Sequence, residues 1–252
     1  MSASGEFKYV YHKKKKRKEK KTLEWLFLQY EIQTEVLIAS GFYYVSSNII
    51  SKLIFSKRSI RISRLVMLGL GSFQDSLRSI TQLSFGIKIA ERLGLKEKIE
   101  AYDPVFTFLD CQLLKKLNIN FNLHNSLDFL YNAEQPVIFY MPHCPISLYE
   151  LLLKENWSPK KLCNIFLIGN NLTTYDLTIK NTKKKKYPFV FKACRKSILL
   201  FVNQMTFLAM FESIPLSEDY EQPETFNNLA FQWCERDIVK KMINLNNDEC
   251  KT

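Results

Sequence analysis

Glycine and proline are scarce in this chain. Seven Gly and eight Pro among 252 residues argue against a collagen-like, linker-rich or low-complexity protein, since those classes are built on these two residue types. No apolar run reaches the roughly 18–20 residues that a membrane-spanning helix needs, so a soluble protein with no membrane span is expected. Six cysteines, at positions 111, 144, 163, 194, 234 and 250, are scattered and form no C-x-x-C pair, which excludes the common zinc-ribbon and thioredoxin spacings. The N-terminus is polar and then basic, without the apolar stretch of a secretory signal. Free thiols in a reducing compartment are the expectation. The only histidines are His12, His124 and His143, too few for a multi-histidine metal centre. No internal repeat is visible.

The residues that are abundant point to a packed domain. Hydrophobic residues make up 46% and aromatic ones 13% of the chain, enough for one sizeable core. The net charge of +11 is concentrated: residues 13–21 hold eight basic side chains, and Lys183, Lys184, Lys185 and Lys186 add four. These twelve exceed the whole net charge, so the remainder is balanced and direct nucleic-acid binding over a broad surface is not expected. The N-terminal run has two readings, a solvated disordered tail or a localisation signal.

Three regions follow from the pattern. Residues 1–21 form a disordered basic tail. Residues 22–58 form a helical extension, with Leu23, Leu26, Phe27, Tyr30, Val36 and Leu37 at helical spacing and Gly41 as a stop between two helices. Residues 59–245 alternate strand and helix. Strands are expected over 65–68, 98–102, 120–123, 137–141 and 163–168, and helices over 74–94 (closed by Gly94), 106–117, 126–132 and 146–155. Lys183 to Lys186 reads as an exposed loop, 197–203 and 211–216 as further strands, and 237–245 as a last helix. Alternation of this kind gives an α/β fold, a Rossmann-like, doubly wound, mostly parallel sheet.

Open α/β sheets bind ligands at the carboxyl ends of their strands, and four strand ends here carry unusual residues. Gly69, Gly71 and Ser72 can bring backbone N–H groups close to an anion. The third glycine of a dinucleotide loop is missing, since position 74 is Gln, so a tight structural turn is an equal reading. Asp103 can hold ribose hydroxyls of a nucleotide or S-adenosylmethionine, or cap the next helix. His143 and Cys144 stand between Pro142 and Pro145. Neighbours near a strand point apart, which disfavours a Cys–His nucleophile pair, and a zinc site lacks further ligands. Haem ligation and a rigid packing turn stay open. Gly169 and Asn170 end the last of the four strands, and Tyr140, Tyr149 and Tyr175 are candidates for the same rim.

Several stretches resemble the SRR1-like protein family. They are Leu68-Gly69-Leu70-Gly71-Ser72-Phe73, Tyr102-Asp103-Pro104-Val105-Phe106, Phe139-Tyr140-Met141-Pro142-His143-Cys144-Pro145 with Leu148-Tyr149, Asn156-Trp157, Leu167-Ile168-Gly169-Asn170, Tyr175, Phe226-Asn227 and Trp233. The chain departs from the family at Asn171, where Ser is common, and at Leu123-His124-Asn125, which lacks an acidic, glycine-containing turn. The resemblance implies a regulator in circadian clock-related expression, light signalling or control of haem biosynthesis. It also implies unidentified protein partners and residence in cytoplasm and nucleus. The rival expectation is an enzyme that uses S-adenosylmethionine or a nucleotide.

Overall fold

A computed structural model describes residues 21–56, 60–121, 130–194, 197–201, 204–208 and 210–239. The expected tail up to residue 20, the turn at 123–125, most of the helix expected over 126–132 and all but the start of the one over 237–245 lie outside the described residues.

The chain opens with helices α1 (Leu23–Ala39) and α2 (Gly41–Ser56). The break between them lies at Ser40, whose extended backbone ends α1 and whose hydroxyl accepts from Tyr43 N–H. Gly41 is already helical, so the stop is a serine cap. Alternation then begins with β1 (Arg64–Leu68), α3 (Leu77–Arg92), β2 (Ile99–Tyr102), α4 (Phe108–Lys116), β3 (Asn120–Phe121), β4 (Val137–Met141), the helix Ile146–Glu155 and β5 (Ile165–Asn170). A separate hairpin, β6 (Ser197–Phe201) and β7 (Gln204–Leu208), precedes β8 (Phe211–Pro215) and β9 (Leu229–Cys234).

The main sheet has the order β3-β2-β1-β4-β5-β9-β8. Its first five strands are parallel, and β9 and β8 add an antiparallel edge. The order reverses between β1 and β4, which makes that gap the switch point of a doubly wound sheet. Both faces are covered, so the central strands are apolar except at their ends, Arg64 of β1 and Asn170 of β5: all five residues of β4 are buried. Leu65, Met67, Ile138, Tyr140, Phe166 and Ile168 pack toward α1 to α4, against Leu26, Phe42, Leu83 and Leu113. Val66, Leu68, Phe139, Met141 and Leu167 pack on the opposite face against Tyr149, Leu152 and Val190.

Differences from the expected boundaries have local causes. The helix expected from 74 starts at Leu77 because the turn before it is tied elsewhere: Asp75 N–H donates to Ser72 O and Phe73 N–H to the buried carboxylate of Asp110. The same Asp110 completes a capping box with Thr107, which holds the start of α4 at Phe108. Gly94 does close α3, at φ 71°. β5 begins at Ile165 because Pro159–Leu162 is a helical turn capped by Ser158. The expected loop at 183–186 is partly helical, Asn181–Lys184, and Thr173–Thr178 and Pro188–Cys194 are further short helices. β9 was not anticipated, since Asn227 and Asn228 before it masked a buried strand with two-faced packing. Among the described residues no helix is long and apolar enough to cross a membrane.

Asn156 joins two layers. Its fully buried side chain accepts from Ala133 N–H and donates to the carbonyls of Tyr131 and Leu152. Asn156→Leu fills similar volume but leaves those groups unpaired, at about 1–3 kcal/mol for each one that stays dry. Urea unfolding should show a loss of about 3 kcal/mol at unchanged m-value.

Candidate functional site

The four unusual strand ends converge at the switch point. After β1 the chain turns through Gly69 at φ 68° and Gly71 at φ 75°, a region that side chains with a Cβ rarely enter. Gly69 N–H donates to Tyr102 O at 3.3 Å, so the turn is tied to the end of β2. Gly71 N–H donates to Asp103 Oδ2 at 2.8 Å. The other oxygen, Oδ1, accepts from Val105 N–H at 2.9 Å. Asp103 is therefore a brace between two strand-end loops. It does not cap α4, whose cap is Thr107. Ser72 is buried, and its hydroxyl accepts from Gln74 N–H.

Cys144 sits beneath the glycine turn. A Cβ placed on Gly69 would lie 2.4 Å from its sulfur, and the thiol donates to Leu68 O at 3.3 Å. Burial, with the charge of Asp103 adding to it, pushes the thiol pKa up to about 12. The sulfur thus stays protonated at neutral pH and faces the protein, which makes it a poor thiolate ligand or nucleophile.

Asn170 holds the Pro142-His143-Cys144-Pro145 turn. Its Oδ1 accepts from His143 N–H at 2.9 Å, and its Nδ2 donates to Cys144 O at 3.1 Å and to Tyr175 Oη at 2.9 Å. Its own N–H donates to Tyr149 Oη at 2.8 Å, and that hydroxyl donates to Met141 O. Gly169 leaves room for this phenol, since a Cβ there would lie 2.7 Å from Tyr149 Oη and 3.0 Å from Met141 O. Tyr149 is fully buried and braces the site from within.

His143 is the member that faces outward. Its backbone is left-handed at φ 54°, and its Nε2 lies 3.1 Å from Thr225 O. A carbonyl can only accept, so Nε2 carries the proton and Nδ1 keeps its lone pair. The residue is exposed as a whole, but its ring is tucked against the 223–225 turn. That desolvation, opposed by the Thr225 hydrogen bond and helped by the Arg78 charge, holds the pKa below the ordinary 6.5. Gln82 donates to the same carbonyl at 2.9 Å. The hydroxyls of Tyr140 and Thr225 are buried without a hydrogen-bond partner among the described residues.

The eight expected residues are thus brought together, but in unequal roles. Gly69, Gly71, Asp103, Cys144, Gly169 and Asn170 lock the loops to one another. Ser72 stabilises its own turn, and His143 presents a ring-nitrogen lone pair at Nδ1. Sequence reasoning missed Thr225, Gln82 and Arg78, which come from a distant turn and from α3. No local signal marked them, since Gln82 is one of several polar residues on the buried side of α3, with Ser79, Thr81 and Ser84. A cavity of about 550 Å3 opens beside the cluster, lined by Asn171, Thr173, Asp176, Leu177, Cys194 and Phe211 among others. No group of three or more His, Cys, Asp or Glu suited to a metal occurs among the described residues. For haem, the neutral imidazole of His143 would be the residue able to hold iron, while the buried, protonated thiol of Cys144 would not.

Two consequences can be measured. Gly69→Ala should destabilise the fold by about 2–4 kcal/mol through overpacking and the left-handed backbone. In a Cys144→Ala background the same change should cost about 1 kcal/mol, because only the backbone term remains; an equal cost in both backgrounds would show that the sulfur is not the obstacle. For His143 the folded pKa lies below the unfolded one. Its contribution to stability is therefore complete above about pH 6.5 and declines as the pH falls below it. The pH dependence of unfolding should be shallower between about pH 6.5 and 5 in His143→Asn, a residue that tolerates the left-handed backbone.

A family model described as the SRR1 domain matches residues 31–233. An SRR1-like protein of Drosophila melanogaster is 27% identical over 169 residues, 67% of this chain and 54% of the relative. An SRR1-like protein of Mus musculus is 30% identical over 129 residues, 50% of this chain and 52% of the relative. A protein of Arabidopsis thaliana called SENSITIVITY TO RED LIGHT REDUCED 1 is 32% identical over 114 residues, 45% of this chain and 41% of the relative. The matches span about half the length of these relatives, and no solved structure matches.

Proposed function

The chain belongs to the SRR1 domain family, and on that premise we propose that it is a regulatory protein acting in light- or circadian clock-related gene expression. The supporting observation is the cross-braced rim around His143. Its polar groups are committed to fixing loop shape, which suits a recognition surface for a protein partner better than a mobile catalytic pocket. The Arabidopsis relative, named for reduced sensitivity to red light, supports the light-linked direction. Control of haem biosynthesis is a second reading, favoured by one feature: the neutral His143 imidazole keeps Nδ1 free to meet iron. An enzyme using S-adenosylmethionine or a nucleotide draws less support, because both oxygens of Asp103 already accept backbone hydrogen bonds. Cytoplasm and nucleus remain the expected locations, with the basic run at 13–21 as the import signal.

Deleting the gene in its own host and following rhythmic transcripts in constant conditions tests the regulatory reading. Reduced amplitude, restored by the wild-type chain and less well by one lacking residues 13–21, is the expected result. An unchanged rhythm would remove the clock assignment. In parallel, saturating S-adenosylmethionine should leave the melting temperature unmoved. A rise of about 5–10 °C, the size expected for a cofactor at about 100 times its dissociation constant, would favour the enzyme if Asp103→Ala abolished it.

A further inference from the structure

Helix α1 has two apolar sides. One is in the core, where Leu26, Tyr30, Thr34 and Leu37 are buried against α3 and its neighbours. The other faces out: Leu28 is 51% exposed, Ile32 41% and Val36 42%. These three recur at four-residue steps, so they form one stripe about 12 Å long. A surface helix normally carries polar residues there, and a continuous apolar stripe marks a place where another surface packs.

The charges beside the stripe restrict what that surface can be. Between residues 23 and 39 the only charged side chains are Glu24, Glu31 and Glu35, with no Lys or Arg, in a chain whose net charge is +11. Glu31 and Glu35 are exposed and lie along one edge of the stripe, one residue before Ile32 and Val36. They are four residues apart, a like-charge spacing that is unfavourable in an isolated helix. Lys116 of α4, its ammonium 3.7 Å from the Phe27 ring centroid, stands beside Glu24, so two α1 helices packed on each other would set Glu31 and Glu35 of one against the same pair of the other. An anionic membrane surface would be repelled in the same way.

We propose that the outer face of α1 docks an amphipathic helix of another protein, with an apolar stripe of its own flanked by Lys or Arg. The apolar seam supplies burial. The flanking pairs set partner choice and register, as charges beside a coiled-coil seam do. This surface lies on the helical layer and is separate from the strand-end rim, so it stands or falls independently of the regulatory reading.

Two fluorescein-labelled 21-residue peptides test it against the full chain by anisotropy. Both carry Leu at the seam positions, one with Lys and the other with Glu at the flanks. The Lys peptide should bind, and more weakly as salt rises. Ile32→Ser should weaken it at least tenfold, with far-UV circular dichroism and melting temperature close to wild type because the position is on the surface. Exchanging both carboxylates, Glu31→Lys with Glu35→Lys, should transfer preference to the Glu peptide. Absence of binding, equal binding of both peptides, or a preference that survives the charge exchange would overturn the proposal. So would a dimer in light scattering that Ile32→Ser converts to monomer, which would assign the stripe to a second copy. Cosedimentation with vesicles of phosphatidylcholine and phosphatidylserine, lost in Ile32→Ser, would assign it to a membrane.

Discussion

The carboxamide of Asn170 continues the sheet beyond the point where its backbone ladder stops. β4 and β5 pair up to Met141 and Gly169. Past that point the chain after β4 turns away through Pro142, which has no N–H to offer. The amide of Asn170 then meets the next residues as a strand would, accepting from His143 N–H and donating to Cys144 O. A carboxamide has the same donor and acceptor pair as a peptide bond, which is why an Asn serves here and an Asp would not. From this contact the rest of the rim follows. His143 is held in a left-handed turn, Cys144 is pressed under Gly69, and Gly69 and Gly71 are tied to the end of β2 and to Asp103.

The layers below make that rim rigid. The central strands are buried on both faces, and the aromatic groups are spread between the two layers. On one side Phe42 stacks on Phe226 with centroids 4.1 Å apart, so α2 is fastened to the turn that carries Thr225. That turn in turn positions the imidazole of His143. The helical extension is therefore part of the site's support.

The fold was legible in the sequence because its strands are short apolar runs that end in Gly, Asp-Pro or Pro-His, signals of a parallel sheet with its loops at one end. β9 was not, since Leu229–Cys234 is preceded by polar residues and pairs with a strand some 60 positions earlier. The site was legible as a set of positions and misjudged as a set of roles. Asp103 and Asn170 have side chains that suit a ligand equally well, and only the distances show that each of their oxygens is engaged by a backbone N–H group. The companions of His143 could not be read at all. Thr225 contributes a backbone carbonyl, which every residue possesses, and Gln82 is one of several buried polar side chains on α3, with Ser79, Thr81 and Ser84. Chain separation hides such partners, because nothing local in the sequence brings residue 82 or 143 toward 225.

The antiparallel edge has a consequence for how the molecule is made. β8 precedes β9 in the chain, yet β9 lies between β8 and β5. As the polypeptide leaves the ribosome, the parallel half can assemble while β5 still has one side unpaired, and residues 211–215 emerge with no strand to join. Only when residues 229–234 arrive do both acquire a neighbour. At synthesis rates of about 5–20 residues per second, the roughly 60 residues between β5 and β9 keep that edge open for several seconds. An open row of N–H and C=O groups on an apolar strand is where chains join one another by mistake. The nascent chain thus passes through a defined interval in which protection by a chaperone matters most.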